Sequence, residues 1–132
     1  MTGYIANIEQ ETLTNENFRK VVYTAKHSQL VLMSLLPNEE IGEEVHELDQ
    51  FFRIESGEGK VVIDGVETII SDGSAIVVPE GARHNVINTS VDKTLKLYTI
   101  YSPAEHKDGV VYATKAEAVL DESDHFDGLT TE

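Results

Sequence analysis

The chain contains no cysteine. That absence excludes disulfides, thiolate metal sites and cysteine nucleophiles, and it suits a reducing compartment without requiring one. Positive charge is scarce as well, with 10 Lys and Arg against 24 Asp and Glu and a formal charge of −14. Nucleic acid and anionic membranes are bound by basic faces that displace counterions, so neither is expected as a partner. No apolar run approaches the length of a membrane span. The first twenty residues, with Glu9, Glu11 and Glu16, lack the continuous apolar stretch of a secretory signal. The expectation is a soluble, cytoplasmic protein. A glycine-rich phosphate loop, a Ser-His-Asp set and a nucleotide fingerprint are missing too.

At 132 residues and 40% hydrophobic content, the chain suits one domain over residues 1–132 with a real core. Short β-rich segments recur throughout: Phe18 to Thr24, Gln29 to Leu36, Phe51 to Ser56, Lys60 to Asp64, Val66 to Ile70, Ala75 to Val78, Arg83 to Asn88 and Thr94 to Tyr101. This cadence predicts an all-β jelly roll or barrel. Asp64-Gly65 between two apolar runs predicts a two-residue hairpin, because a type I′ turn needs positive φ at both central positions. Thr114-x-x-Glu117 has capping-box spacing and predicts a short C-terminal helix. The acidic tail from Asp121 to Glu132 is expected to be loose. Tyr4 to Ile8 alternates weakly and is expected as an edge strand. With outward apolar residues such as Phe51 and Ile87, it predicts a symmetric homodimer.

The most informative stretch runs from Gly73 to Asn88. Pro79 ends the apolar run Ala75 to Val78, and Gly81 permits the left-handed backbone of a tight turn. His84 follows at the start of a strand. On extended backbone it shares a face with Val86 and Asn88, so it points where a core residue points. A histidine so placed is either a metal ligand or a satisfied core residue.

Gly73, Pro79, Gly81, His84 and Asn88 fill every fixed position of G-x5-P-x-G-x2-H-x3-N, the second motif of the cupin superfamily, and the segment is identified as similar to it. The first cupin motif, G-x5-H-x-H-x3-E-x6-G, is partly present when aligned on Gly57. His46 then stands at the second histidine, Glu44 at the first, Gln50 at the acid and Asn38 at the leading glycine. The resemblance implies a small cupin jelly-roll β-barrel (double-stranded β-helix), with its core over about 28–102, a C-terminal extension over 103–132, and a metal pocket. It does not imply one reaction, since cupins include isomerases, dioxygenases, decarboxylases and proteins that only bind.

The candidate metal ligands are Glu44, His46, Gln50 and His84. Glu44 and His46 project to one face of an extended segment, and a bulge at Leu48-Asp49 is expected to bring Gln50 back to it. Two imidazoles with oxygen donors suit one divalent transition metal, Zn, Mn, Fe, Ni or Co, rather than Ca or Mg. Glu44 is also the candidate general base, although a solvated acidic loop from Glu39 to Glu47 would account for it as well. Gln50 could instead be a hydrogen-bonding partner behind the ligands. His27, His106 and His125 lack ligand spacing and are expected on the surface. The reading that leads is a metal-dependent, isomerase-like enzyme on a small polar ligand such as a sugar or sugar phosphate. An Fe- or Ni-dependent dioxygenase and a noncatalytic small-molecule sensor are the alternatives.

Overall fold

The computed structural model describes residues 1–132. Nine strands and two short helices follow one another as α1 (Ile8–Thr14), β1 (Arg19–Thr24), β2 (Gln29–Leu35), β3 (Asp49–Ser56), β4 (Glu58–Ile63), β5 (Val66–Ser71), β6 (Ala75–Val78), β7 (His84–Asn88), β8 (Leu95–Ser102), β9 (Val111–Tyr112) and α2 (Lys115–Leu120). A six-stranded sheet in the order β6-β3-β8-β2-β1-β9 and a three-stranded sheet in the order β5-β4-β7 build the jelly-roll barrel. All named pairings are antiparallel.

The inward faces are the period-2 faces of the sequence. Val31, Met33 and Leu35 on β2, Phe52 and Ile54 on β3, Leu95 and Leu97 on β8, and Val86 on β7 form one buried cluster with Val61 and Ile70. Toward one end of the barrel the same faces turn polar. Ile54 and Phe52 give way to Gln50 on β3, Leu97 to Thr99 and Tyr101 on β8, and Val86 to His84 on β7, all of them buried. Thus each strand aims its polar residues into the barrel by the alternation that packs the core.

Turn chemistry behaves as the letters require. Asp64 and Gly65 both have positive φ (47° and 81°), which gives the type I′ reversal between β4 and β5. Gly81 sits at φ 84°, and its N–H donates to the His46 carbonyl at 3.0 Å. The turn after Pro79 therefore ties the first motif's strand to the second's. Asn88 closes the opposite end of β7: its amide donates to the carbonyls of Leu35, Leu36 and Lys93, and its oxygen accepts from Ser90 N–H. At α2, Thr114 Oγ1 accepts from Glu117 N–H, while Glu117 reaches back to Ala113 N–H, one residue earlier than in the usual box.

Three expectations are corrected. Tyr4 to Ile8 is not an edge strand; the chain is irregular up to Asn7, whose side chain caps α1 by accepting from Gln10 N–H. Dimerisation by strand addition has no strand to use there. The expected bulge at Leu48-Asp49 is absent, because Leu48 and Gln50 are buried and Asp49 exposed in simple alternation, and β3 shifts register instead between Ile54 and Ser56. The acidic tail is pinned rather than loose. Phe126 N–H donates to the Glu105 carbonyl, Thr131 N–H to the Thr24 carbonyl, and Glu132 accepts from Tyr23 hydroxyl and from Thr2 and Gly3 N–H. Side-chain acids that find fixed donors hold a segment whose composition alone suggests disorder.

Candidate functional site at the polar end of the barrel

Glu44 and His84 exchange backbone hydrogen bonds of 2.9 Å in both directions, which locks the segment before β3 onto the start of β7. Along that segment Glu43, Val45 and Glu47 are exposed, whereas Glu44 and His46 turn inward in phase with Leu48 and Gln50. Alternate acids of the run are thus split: Glu43 and Glu47 face solvent, and Glu44 turns toward His46 with 30% of its side chain still exposed. All four expected residues, Glu44, His46, Gln50 and His84, reach the same end of the barrel.

They stand there as two pairs. His84 Nδ1 donates to the Ala82 carbonyl at 3.0 Å. A carbonyl only accepts, so the proton of the neutral ring is on Nδ1 and the lone pair on Nε2. Nε2 faces Gln50 Oε1 at 3.1 Å, while the Gln50 amide donates to Thr99 Oγ1 at 3.0 Å. In the second pair, His46 Nε2 lies 2.6 Å from Glu44 Oε2. That is a close ionic contact rather than an aligned hydrogen bond, and the buried Nε2 has no hydrogen-bond partner. The two imidazole rings are 5.3 Å apart, centre to centre.

The two members of the pair favour each other's charged forms. Burial pushes the Glu44 carboxyl up, but His46, Arg19 and His84 outweigh it and hold it below its ordinary value. Burial likewise pushes His46 down, but Glu44 and Glu105 outweigh it and leave the imidazole above its ordinary value. Glu105 Oε2 stands 3.7 Å from His46 Nδ1. The loop that carries Glu105 is fixed by buried Gln29, whose Oε1 accepts from the N–H groups of Glu105 and His106.

A donor set of two imidazoles, one carboxylate and one amide suits a borderline divalent cation. His84 has the backing a ligand needs, since a carbonyl behind Nδ1 fixes its tautomer and ring plane. His46 Nε2 faces the Glu44 carboxylate at 2.6 Å, so it serves a metal only as the neutral imidazole, with its proton displaced. The spacing is divided, however: no three His, Asp or Glu side chains stand close enough together to hold a metal. A cleft lined by Glu40, Glu43, Arg83 and His84 adjoins the set from outside.

Residue-level reading of the sequence misses the floor of this site. Tyr101 pairs across β3–β8 with Gln50 and packs edge-on to His46 at 6.0 Å between ring centres. Burial drives its hydroxyl pKa strongly up, so it remains a neutral donor. Beneath it His106, expected on the surface, is buried: Tyr101 Oη lies 3.3 Å from His106 Nε2, and Asp124 Oδ2 lies 2.8 Å from His106 Nδ1. The correction has a simple cause. A tail residue, Asp124, supplies the partner that lets His106 sit inside, and its Oδ1 also accepts from Lys107 N–H at 2.9 Å. His27 and His125 are exposed as expected. Arg19 is the other missed residue; its alternation with core Val21 on β1 is the signal that would have found it.

The Asp124 clasp has a definite pH signature. Burial raises its carboxyl, but the His106 contact, Lys107 N–H and Arg19 outweigh it and set the pKa below the ordinary value. A carboxyl depressed in the folded state adds stability that is complete above its unfolded pKa, about 3.9, and is lost as pH falls through the lower folded value. Asp124→Asn is therefore expected to lose about 1.5–3 kcal/mol at pH 7, the scale of a charged hydrogen bond. In urea unfolding, the gap to wild type should close below about pH 4. Equal stability at pH 7 would show the clasp to be idle.

The comparisons agree with this architecture. The chain is 46% identical over 126 residues to protein YrkC of Bacillus subtilis, covering 90% of this chain and 67% of that protein. It is 44% identical over 113 residues to protein L612 of Acanthamoeba polyphaga mimivirus, covering 82% and 70%. The crystal structure of BH2720 from Bacillus halodurans superposes with a TM-score of 0.85 at 42% identity, covering 88% of this chain and 92% of that one. The Cupin_2 family model, the cupin domain, matches residues 31–101, from β2 to the end of the inward face of β8, and the chain belongs to the cupin family.

Proposed function

We propose that the polar end of the barrel is a metal-dependent site for a small polar molecule, with one divalent transition metal held by Glu44, His46, Gln50 and His84. The observation that carries this is the meeting of two acceptors. His84 Nε2, left with its lone pair by the Nδ1 bond to Ala82, faces Gln50 Oε1 at 3.1 Å. Two lone pairs do not hold one another, so either a cation sits between them or the Gln50 amide is turned, its N–H donating to His84 Nε2 and its oxygen accepting from Thr99 hydroxyl. A second proton on His84 would also serve, and metal titration separates the cation from both. A bound cation of this kind supplies Lewis acidity toward a carbonyl or hydroxyl oxygen.

The chain's own residues supply the proton chemistry. Glu44 is ionised at neutral pH and is the more open member of its pair, with 30% of its side chain exposed against 11% for His46. Left off the metal, it is the general base of the reading, taking a proton from a carbon or hydroxyl next to the polarised oxygen. This is proton transfer of the isomerase kind, and a sugar or sugar phosphate is the class it suits. A second reading, noncatalytic binding, draws on the near-complete burial of Gln50 and His84.

The test is calorimetric titration of metal-stripped protein with zinc. One saturable site per chain is expected, weakening as pH falls from about 7.5 to 5.5, because protons compete for the imidazoles. No saturable site, or an affinity flat across that range, would overturn the reading.

A further inference from the structure

We infer that Arg19 is an anion subsite, so that the molecule taken by the polar end of the barrel carries an oxyanion, a carboxylate or a phosphate, which the guanidinium binds. The inference deepens the reading of this barrel end as a small-molecule site and rests on it.

Arg19 stands apart from the chain's other cations. Arg53, Lys60 and Arg83 pair with Glu55, Glu67 and Glu43, and Lys96 donates to the Asn15 carbonyl. Those are surface or half-buried arrangements of ordinary kind. Arg19 is only 9% exposed, is in none of the chain's ion pairs, and has a buried Nε without a hydrogen-bond partner. Its one evident contact is with the ring of Phe18, 5.2 Å from Cζ. A guanidinium cannot shed its proton to escape burial, so an unpaired one is costly to keep. In a chain with 24 acids and 10 basic residues, a carboxylate partner would be easy to place.

Its neighbours place Arg19 at the polar end of the barrel. Arg19 shares the inward face of β1 with Val21 and pairs across to Tyr112 on β9. Tyr112 hydroxyl donates to Asp121, in the turn that also delivers Asp124 to His106. The charge of Arg19 is felt by Glu44, His46, Tyr101 and Asp124 alike. The two carboxylates among them are already committed, Glu44 to His46 and Asp124 to His106 and Lys107 N–H. None of the carboxylates at this end of the barrel, Glu44, Glu105 and Asp124, stands within ion-pair distance of the guanidinium. Its planar fork matches the oxygens of a carboxylate or phosphate in a bidentate pair.

The experiment titrates wild type, Arg19→Gln and Arg19→Lys with inorganic phosphate and, separately, with acetate, at constant ionic strength in chloride. Binding is followed by amide chemical shifts and calorimetry, with and without zinc. Saturable binding of one of the two anions to wild type is expected, and which one binds distinguishes a phosphate from a carboxylate ligand. Arg19→Gln should bind it at least tenfold more weakly, with Arg19→Lys between, because a point charge replaces the fork. Thermal unfolding with and without anion separates this from a structural role: the anion should raise the melting temperature of wild type and leave that of Arg19→Gln unmoved, whatever the starting stability of the variant. Neither anion binding saturably, unchanged binding in Arg19→Gln, or an equal rise in melting temperature in that variant would each overturn the proposal. Zinc titration of Arg19→Gln runs alongside. Zinc retained with anion lost supports both readings, whereas Arg19-dependent anion binding without any zinc site would sink the metal reading and leave the anion subsite standing.

Discussion

Replacing His46 and His84 together by alanine is expected to weaken zinc binding by more than about 100-fold, since removal of the groups behind metal ligands alone costs 10–100-fold. Each imidazole is the strong donor of its own pair. His84 without Gln50 keeps its tautomer from Ala82, but Gln50 without His84 is a lone amide oxygen, and Glu44 without His46 is one half-exposed carboxylate. No other histidine can substitute, because His106 has both ring nitrogens engaged, by Tyr101 and Asp124. The single variants are expected to fall between wild type and the double variant. Folding should survive, because the barrel core lies on the other side of Phe52 and Val86, and the backbone exchange between residues 44 and 84 does not depend on the side chains. The measurement is metal content after dialysis against a defined free-zinc level, with circular dichroism as the control for fold. Full zinc occupancy in the folded double variant would place the metal elsewhere.

How far the site could be read in advance depended on how local its determinants are. His84 is legible because its aim is set within residues 79–88: Pro79 stops one strand, Gly81 turns the chain, and alternation with Val86 and Asn88 does the rest. Glu44 and His46 are legible for the same reason, being in phase on one extended segment; Gln50 joins them by that same alternation and not by the bulge expected at Leu48-Asp49, and the Asp64-Gly65 hairpin needs two letters. What the sequence hides is set by contacts between distant parts of the chain. His106 is buried only because Asp124 arrives from the tail, and the tail lies down only because Thr24, Glu105 and Tyr23 offer partners that no local pattern announces. Arg19 is hidden differently. Its alternation with Val21 is visible, but an arginine on a core face contradicts the usual preference for exposure, and only the structure shows it without a carboxylate. Helix α1 has no strong apolar period; it forms where Asn7 caps it and Thr12 is buried.

The strand that carries His84 supports the second large expectation. Gly59→Ala should destabilise the fold by at least about 3 kcal/mol, at the severe end of single substitutions. Gly59 lies on β4 opposite Asn88 of β7, and an ideal Cβ there would sit 2.3 Å from the Ile87 carbonyl oxygen and 3.3 Å from Leu95 Cδ2. The first neighbour is backbone and cannot rotate away. Relief requires β4 and β7 to separate, which breaks the ladder from Gly59 to Ile63 and moves His84 at its far end, opposite Ile63. Gly65→Ala is the control. Gly65 has φ 81° but nothing within 4 Å of its would-be Cβ, so only the left-handed backbone is penalised, by about 1–2 kcal/mol. Urea unfolding of the two variants side by side separates steric exclusion from backbone strain. If Gly59→Ala proved no less stable than Gly65→Ala, the close approach of β4 to β7, and with it the placement of His84 over Gln50, would be wrong.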